Sequence, residues 1–356
     1  MKIAYLVYWT SATGRGVAKK IVGQIEAWKE HGHSVELILL AKEDDRQSAP
    51  PELLNKGTFF WTKGVVDRLA TWWRLDRFVQ ADLLYFRYDL YMPGMEKVFR
   101  KVPTVVEINT NDVREFCLKP SLRCWYNRLF RYRIMKLAAG FVAVTGELGE
   151  MLSPFGKPVA VIANGIDLRQ FPILPPNESP VPSLVFLGTP HQPWHGLDVI
   201  RRLADIFPSW QFHIVGYDRQ PGFPVNVSFH GYLSEEQYRP ILAQMDVALG
   251  TLALERKEMC EGAPLKVREY LAYGLPAIIG HKDTDFPEGA DFLLRIQSVD
   301  ISQSIPQIKA FVERWKGKRV PRELVAHLDW RVKEGKRLEF FTKILTNEKG
   351  ESYAPK

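Results

Sequence analysis

Cysteine is scarce in this chain, with three (Cys117, Cys124 and Cys260) in 356 residues. An odd number without metal-ligand spacing argues against a disulfide framework and against a zinc site. We read all three as reduced thiols of a cytoplasmic protein. Long apolar runs are missing too, and none approaches the ~18 residues that a membrane-spanning helix needs. The N-terminal Ile3-Ala4-Tyr5-Leu6-Val7-Tyr8-Trp9 is short and leads into Thr10-Ser11-Ala12-Thr13-Gly14 without a small-residue cleavage site. It reads as a buried first strand rather than a signal core. No internal repeat is present. Against these absences, 46% hydrophobic and 25% charged residues describe a folded soluble protein, and the length points to two domains. The net charge of +7 suits nucleic acid, an anionic membrane surface or a phosphorylated substrate.

The first half alternates β-rich runs with amphipathic stretches. Lys2–Trp9 predicts a strand, Val17–His31 a helix with Val17, Ile21, Ile25 and Trp28 on one face, and Ser34–Leu40 a strand. Further strands are expected at Leu83–Arg87, Thr104–Asn109, Gly140–Thr145 and Pro158–Ala163. This is the rhythm of a parallel, doubly wound sheet. Pro172 to Pro182 holds five prolines and reads as a linker between packed units. The rhythm then resumes with strands at Ser183–Leu187, Trp210–Val215, Val227–His230, Val247–Leu249, Ala277–Ile279 and Phe292–Ile296. Helices are expected at Leu197–Phe207, Ser234–Met245 and Pro264–Tyr273, and the tail from Trp330 to Leu345 is helical in pattern and polar on one side. The expected fold is α/β: two Rossmann-like parallel-sheet domains facing a cleft.

The most informative segment runs from Glu261 through Gly262-Ala263-Pro264-Leu265-Lys266-Val267-Arg268 to Glu269. Pro264 suits a first helical position, and Gly274 and Pro276 suit the far end. A helix N-terminus offers backbone N–H groups and positive potential to an anion. A carboxylate on either side can hold hydroxyls, and Glu269 lies on a different helix face from Val267, Tyr270 and Leu271. The alternative is a pair of solvated helix-face acids. The segment follows a predicted strand, Asp246–Gly250, and so lies where open α/β sheets bind ligands.

Here the chain resembles the GT-B glycosyltransferases of family 4, whose hallmark is a glutamate, seven residues and a second glutamate. Asn164-Gly165-Ile166-Asp167, Phe186-Leu187-Gly188, His195-Gly196-Leu197-Asp198, Ile214-Val215-Gly216 and Phe229-His230-Gly231-Tyr232 are similar to family landmarks in the same order. Trp330 is similar to the start of the tail that crosses back to the first domain. The resemblance implies a domain 1–166 that binds acceptor, a domain 183–325 that binds nucleotide sugar, and a C-terminal helix, 326–356, packing on the first domain. It also implies a retaining, metal-independent hexosyltransferase with no cofactor. Glu261 would contact donor-sugar hydroxyls, and Gly262, Ala263, Pro264 and Leu265 would line sugar and phosphate oxygens. Glu269 would bind the ribose, and Gly216 and Tyr232 would frame the base. No Asp-x-Asp stands at a plausible metal site.

Departures from the family pattern fall where charge is needed. The arginine and lysine that usually stabilise the leaving diphosphate are replaced by Thr189 and His195. His195 is expected to donate a hydrogen bond or, as imidazolium, to supply charge, unless it is a surface histidine starting a helix. Lys266 and Arg15 are candidates to replace part of the charge. Gly14-Arg15-Gly16 is expected to face the diphosphate and acceptor, or else to be a tight turn. Asn109 stands near the place of a family histidine and can orient a sugar hydroxyl.

From Phe116 to Gly146 no acidic residue occurs. Lys119, Arg123, Arg128, Arg131, Arg133 and Lys136 interleave there with Trp125, Tyr126, Phe130 and Tyr132, and Phe59-Phe60-Trp61 and Trp72-Trp73-Arg74 add upstream aromatics. Residues 116–137 are read as a face for an anionic membrane surface or a lipid-diphosphate acceptor, or as an ordinary helix with solvated arginines. The expected protein is thus cytoplasmic, peripheral on the inner face of the membrane. It transfers a hexose from a UDP- or GDP-sugar to a glycan or lipid-linked acceptor in surface polysaccharide or glycolipid synthesis, and does not bind nucleic acid. The alternatives are a catalytically weak glycosyltransferase-like subunit and a nucleotide-sugar epimerase.

Overall fold

The computed structural model describes residues 1–10, 15–118, 121–297 and 300–350. The chain divides into two compact units, Asn164–Asp329 being one, and Met1–Ala163 with everything from Trp330 onward being the other. The division therefore falls ahead of the proline-rich segment, which belongs to the second unit. Leu174 N donates to Tyr273 O there, and Phe171 packs edge-on against Tyr273. The segment is anchored on the second unit through buried Phe171 and Leu174, while Pro172, Pro175, Pro176 and Pro180 are exposed.

The first unit is built on seven strands: β1 (Lys2–Trp9), β2 (Ser34–Lys42), β3 (Gly57–Thr62), β4 (Leu83–Arg87), β5 (Thr104–Ile108), β6 (Gly140–Ala143) and β7 (Val159–Val161). All pair in parallel, in the order β3-β2-β1-β4-β5-β6-β7. Ile3 to Val7 are buried on both faces, as a continuous apolar run in a covered parallel sheet must be. The helices are α1 (Arg15–Glu30), α2 (Pro51–Leu54), α3 (Val65–Phe78), α4 (Met95–Lys101), α5 (Asp112–Glu115), α6 (Leu122–Leu137) and α7 (Gly146–Glu150). β3 and α3 are not expected from periodicity; aromatic residues such as Phe59 and Trp61, stacked at 4.7 Å, form an edge strand.

The second unit carries a six-stranded parallel sheet in the order β10-β9-β8-β11-β13-β15. Its strands are β8 (Ser183–Leu187), β9 (Gln211–Val215), β10 (Val227–Phe229), β11 (Val247–Leu249), β13 (Ala277–Ile279) and β15 (Leu293–Arg295). A separate small pair joins β12 (Glu261–Gly262) to β14 (Lys282–Asp283). Its helices are α8 (Leu197–Ile206), α9 (Glu235–Ala243), α10 (Leu265–Ala272) and α11 (Ile305–Trp315). Where β8 lies between β9 and β11 the strand order reverses, and ligand sites of such sheets form at the carboxyl ends of those strands.

The last helix, α12 (Trp330–Gly350), belongs to the first unit. Its Trp330 ring lies so close to Gly23 of α1 that a Cβ there would sit 1.9 Å away. Phe341 packs on Trp28 and Tyr85 at 5.6 and 5.2 Å, and Trp28 Nε1 donates to Glu334 Oε2 at 2.8 Å. The polar side of α12 is accordingly not all solvated: Lys333, Glu334 and Arg337 are buried. Arg337 pairs with Glu334 and lies 3.9 Å from Glu107 at the end of β5. Glu107 also holds Lys20 at 2.8 Å and Arg87 at 3.2 Å. Burial alone would raise the Glu107 pKa, but Lys20, Arg87 and Arg337 outweigh it and hold the carboxyl well below its usual range. Burial pushes the Lys20 amine down to about 8 against the pull of Glu107.

The expectation of three reduced thiols is corrected. Cys117, just after α5, and Cys124, in the first turn of α6, form a disulfide with Cα atoms 4.8 Å apart, and Ser121 caps α6. Only Cys260 lies outside a disulfide, and it is exposed. No described helix is long and apolar enough to cross a membrane.

Glu107 is the test of this core. Glu107→Gln keeps the shape but leaves Lys20, Arg87 and Arg337 without their shared anion. Urea unfolding should show a loss of about 3–5 kcal/mol, and a loss under ~1 kcal/mol would mean the cluster contributes no more than a surface pair.

Candidate functional site

Glu261 and Glu269 flank the start of α10, as their spacing suggests, but the local geometry differs in one respect. Pro264 is the capping residue, with ψ of 136°, and the helix begins at Leu265 without a side-chain cap. Val267 and Arg268 donate their N–H groups to Pro264 O, so the N–H groups of Leu265 and Lys266 stand at the open end of the helix. Glu261 lies on β12 and pairs in register with Lys282 of β14, whose Nζ is 3.6 Å from Glu261 Oε1. Gly262 is required by contact: a Cβ there would meet the buried His281 ring at 2.8 Å.

Arg268 fixes this end of the helix. It is fully buried, and its two terminal nitrogens reach Asp283 at 2.7 and 2.8 Å. Nη2 lies 3.0 Å from Asp285, and Nε donates to Asn164 O at 3.0 Å. Asn164 in turn donates Nδ2 to Ala263 O at 2.8 Å. Burial would raise the Asp283 pKa, but Arg268 outweighs it and holds it low. Asp283-Thr284-Asp285 is thus a buried acceptor pair for Arg268. Sequence reasoning missed Arg268, although its place one turn before Leu271 and Ala272 puts it on their buried face.

His195 is also placed differently from expectation. It is buried, not a surface residue, and its Nδ1 lies 2.9 Å from Tyr217 Oη. Tyr217 donates its own proton to Thr189 O at 2.5 Å, so Nδ1–H is the donor to Tyr217 and Nε2 is left as an acceptor. Burial, with Lys266 and Lys257 nearby, pushes the imidazole pKa down to about 2. The expected imidazolium is therefore corrected: His195 is neutral and supplies no charge. Thr189 is exposed at the end of the β8 loop.

Lys266 reaches the same place from the other side. Its Nζ is shielded from solvent without a hydrogen-bond partner, 4.2 Å from the centre of the Phe186 ring. Phe186 in turn packs edge-on against His195 at 5.3 Å. Burial pushes the Lys266 pKa well below the ordinary lysine value. On α10's next turn, Glu269 accepts a 2.5 Å hydrogen bond from Tyr238 of α9, which fixes one carboxylate oxygen. Gly216 has φ of +92°, and a Cβ would lie 1.9 Å from Gly188 O, so only glycine lets the β8 and β9 ends meet. Gly216 N donates to Gly231 O at 2.6 Å, and Tyr232 beyond it is exposed.

Of the first-unit candidates, Asn109 follows β5 and its Oδ1 accepts from Lys20 Nζ at 2.7 Å. Gly14 lies outside the described residues, as does the Arg15 side chain; Arg15 opens α1 and Gly16 is exposed.

Two Rossmann-like parallel-sheet units, with a Glu-x7-Glu segment opening a helix of the second, define a GT-B glycosyltransferase. Residues 14–170 match the family model described as Glycosyltransferase Family 4, and residues 181–305 match that of Glycosyl transferases group 1. The chain belongs to the GT-B glycosyltransferases of this group 1, family 4 type. Its fold is similar to that of sucrose-phosphate synthase from Thermosynechococcus elongatus (TM-score 0.70, 13% identity, covering 97% of this chain and 99% of that one). It is similar also to the lipopolysaccharide outer core galactosyltransferase WaaB (0.64, 13%, 96% and 100%). A third is Anabaena Alr3699/HepE in complex with UDP-glucose (0.63, 14%, 96% and 100%). No functionally curated protein matches the chain significantly.

The buried histidines set a pH dependence. Burial pushes His281 and His213 down to about 4, and His195 further, whereas unfolded histidines titrate near ~6.5. The unfolded state therefore takes up protons first, and stability present above pH ~6.5 is lost as pH falls toward ~4. The thermal midpoint should drop between those values, and the drop should shrink in His281→Gln. A midpoint constant over that interval contradicts the neutral assignment.

Proposed function

We propose that the protein transfers a hexose from a UDP- or GDP-sugar to a glycan or lipid-linked acceptor, with retention of anomeric configuration and without a metal ion. The observation that best supports this reading is Lys266. An amine shielded from water, without a hydrogen-bond partner, destabilises the protein unless an anion completes it. It stands on the first turn of α10, whose N-terminus also favours negative charge.

In this reading the donor sugar places hydroxyls on Glu261, and the N–H groups around Gly262–Leu265, Pro264 having none, meet sugar and phosphate oxygens. Glu269, held by Tyr238, takes the ribose, while Gly216 and Tyr232 border the base. The glycosyl C1–O bond breaks toward the diphosphate, and Lys266 with the helix N-terminus stabilises the charge that develops there. The acceptor hydroxyl attacks on the same face and gives its proton to the departing phosphate oxygen, so Asn109 need not act as a base. His195, with Nε2 as acceptor, suits a sugar hydroxyl rather than a phosphate. Acceptor binding is assigned to the first unit. The HepE complex with UDP-glucose and the galactosyltransferase activity named for WaaB favour a UDP-hexose among donors.

A donor-binding subunit with weak turnover is the second reading, favoured by Thr189, which is exposed and uncharged where the family carries an arginine. An epimerase would form product from donor alone, which a run without acceptor detects.

Two variants test the reading together. Glu261→Ala should lower turnover by ~100-fold or more with the fold intact. Lys266→Met should lower it comparably while raising the thermal midpoint, because it replaces a buried, unpartnered amine with an apolar side chain. Near-normal turnover in either well-folded variant contradicts the assigned role, and no turnover in the wild type with any acceptor, despite donor binding, favours the subunit.

A further inference from the structure

One face of α6 is covered and the other carries large apolar side chains into solvent. Cys124, Asn127, Ile134 and Met135 form the inner face, with Arg131 tied to Asp112 at 2.8 Å between them. On the opposite side Leu122, Trp125, Leu129 and Tyr132 recur at steps of three and four and so share one stripe. They are 90%, 68%, 64% and 45% exposed. A stripe of this size left in water marks an interaction surface.

The charges around it decide what covers it. Arg123, Arg128, Arg133 and Lys136 are exposed on or beside the stripe, and Lys136 Nζ lies 5.3 Å from the Tyr132 ring centre. Arg123 and Arg133 have loose acidic neighbours at 3.6 and 3.8 Å (Asp89 and Glu96). Among the described residues, Arg128 and Lys136 have no ion pair. A second copy of this face would set cation against cation, and an apolar protein surface would bury them unpaired. An anionic lipid surface neutralises the basic groups, takes leucine below the headgroups and seats tryptophan and tyrosine at their level.

We infer that α6 docks the protein on an anionic bilayer as an in-plane helix, with Leu122, Trp125, Leu129 and Tyr132 in the headgroup–acyl boundary. Sixteen residues with five cations lie on the membrane and do not cross it. The disulfide ties Cys117, just after α5, to Cys124 on the covered side of the helix, opposite the stripe. This surface goes beyond the transfer reaction and does not depend on it.

The test is co-sedimentation of the full-length protein, without substrate, on vesicles of phosphatidylcholine alone or with roughly one-third phosphatidylglycerol. The wild type should bind the anionic vesicles about ten-fold or more tightly. Trp125→Ala/Leu129→Ala should weaken that binding about ten-fold, and Arg128→Glu/Lys136→Glu should abolish the preference for anionic lipid. All four positions are exposed, so both variants should keep the wild-type thermal midpoint. Equal binding to both vesicles, or undiminished binding by either variant, overturns the inference. So does a wild-type dimer in analytical ultracentrifugation that binds no vesicles and dissociates on Trp125→Ala/Leu129→Ala.

Discussion

The Arg268 guanidinium, buried between Asp283, Asp285 and the Asn164 carbonyl, is the interaction on which the candidate site depends. It joins three parts of the chain far apart in sequence: the start of α10, the β14 segment and the Asn-Gly corner at which the second unit begins. A paired, bidentate guanidinium is directional, so it sets the helix end in register as well as in place. Asn164 closes the loop by binding Ala263, between Glu261 and Glu269. With that end fixed, Glu261 stays on β12, the first-turn N–H groups stay uncapped, and Lys266 is carried to Phe186 and His195.

Charge is handled in opposite ways in the two units. In the first, Glu107 gathers Lys20, Arg87 and Arg337, and α12 supplies part of the cluster, so buried charge is matched by buried charge. In the second, Lys266 is left without a hydrogen bond while the adjacent histidine is held neutral. The first arrangement is that of a structural core. The second leaves a buried amine without a hydrogen bond beside the Phe186 ring, the kind of perturbed group that functional sites collect.

Much of the fold was legible because buried parallel strands are written as continuous apolar runs: β1, β4, β8, β11 and β13 lie where those runs place them. The Glu261 and Glu269 spacing likewise survived, since both residues flank a helix start that proline and glycine punctuate. What escaped the sequence depends on tertiary partners. Arg268 shares the buried face of Leu271 and Ala272, but its partners Asp283 and Asp285 are set by the tertiary fold. His195 follows a short stretch, Thr189-Pro190-His191-Gln192-Pro193-Trp194, that reads as an exposed loop, yet Phe186 and Tyr217 enclose it. The disulfide joins two cysteines seven residues apart, one just after α5 and one in the first turn of α6, a pairing their spacing alone does not announce. The proline-rich segment reads as a linker in composition, and its hold on the second unit comes from Phe171 and Leu174 meeting Tyr273, which composition does not show.

The central claim is that Lys266 is a buried amine waiting for a diphosphate. Its most direct test follows the Lys266 side chain by NMR in protein labelled at lysine side-chain carbons, with Lys266→Met for assignment, during titrations with UDP and with GDP. The account predicts an amine that titrates well below the ordinary ~10.4 in the free protein and shifts upward when one of the diphosphates binds. A Lys266 signal that titrates at the ordinary value, or that neither diphosphate moves at saturation, would contradict it.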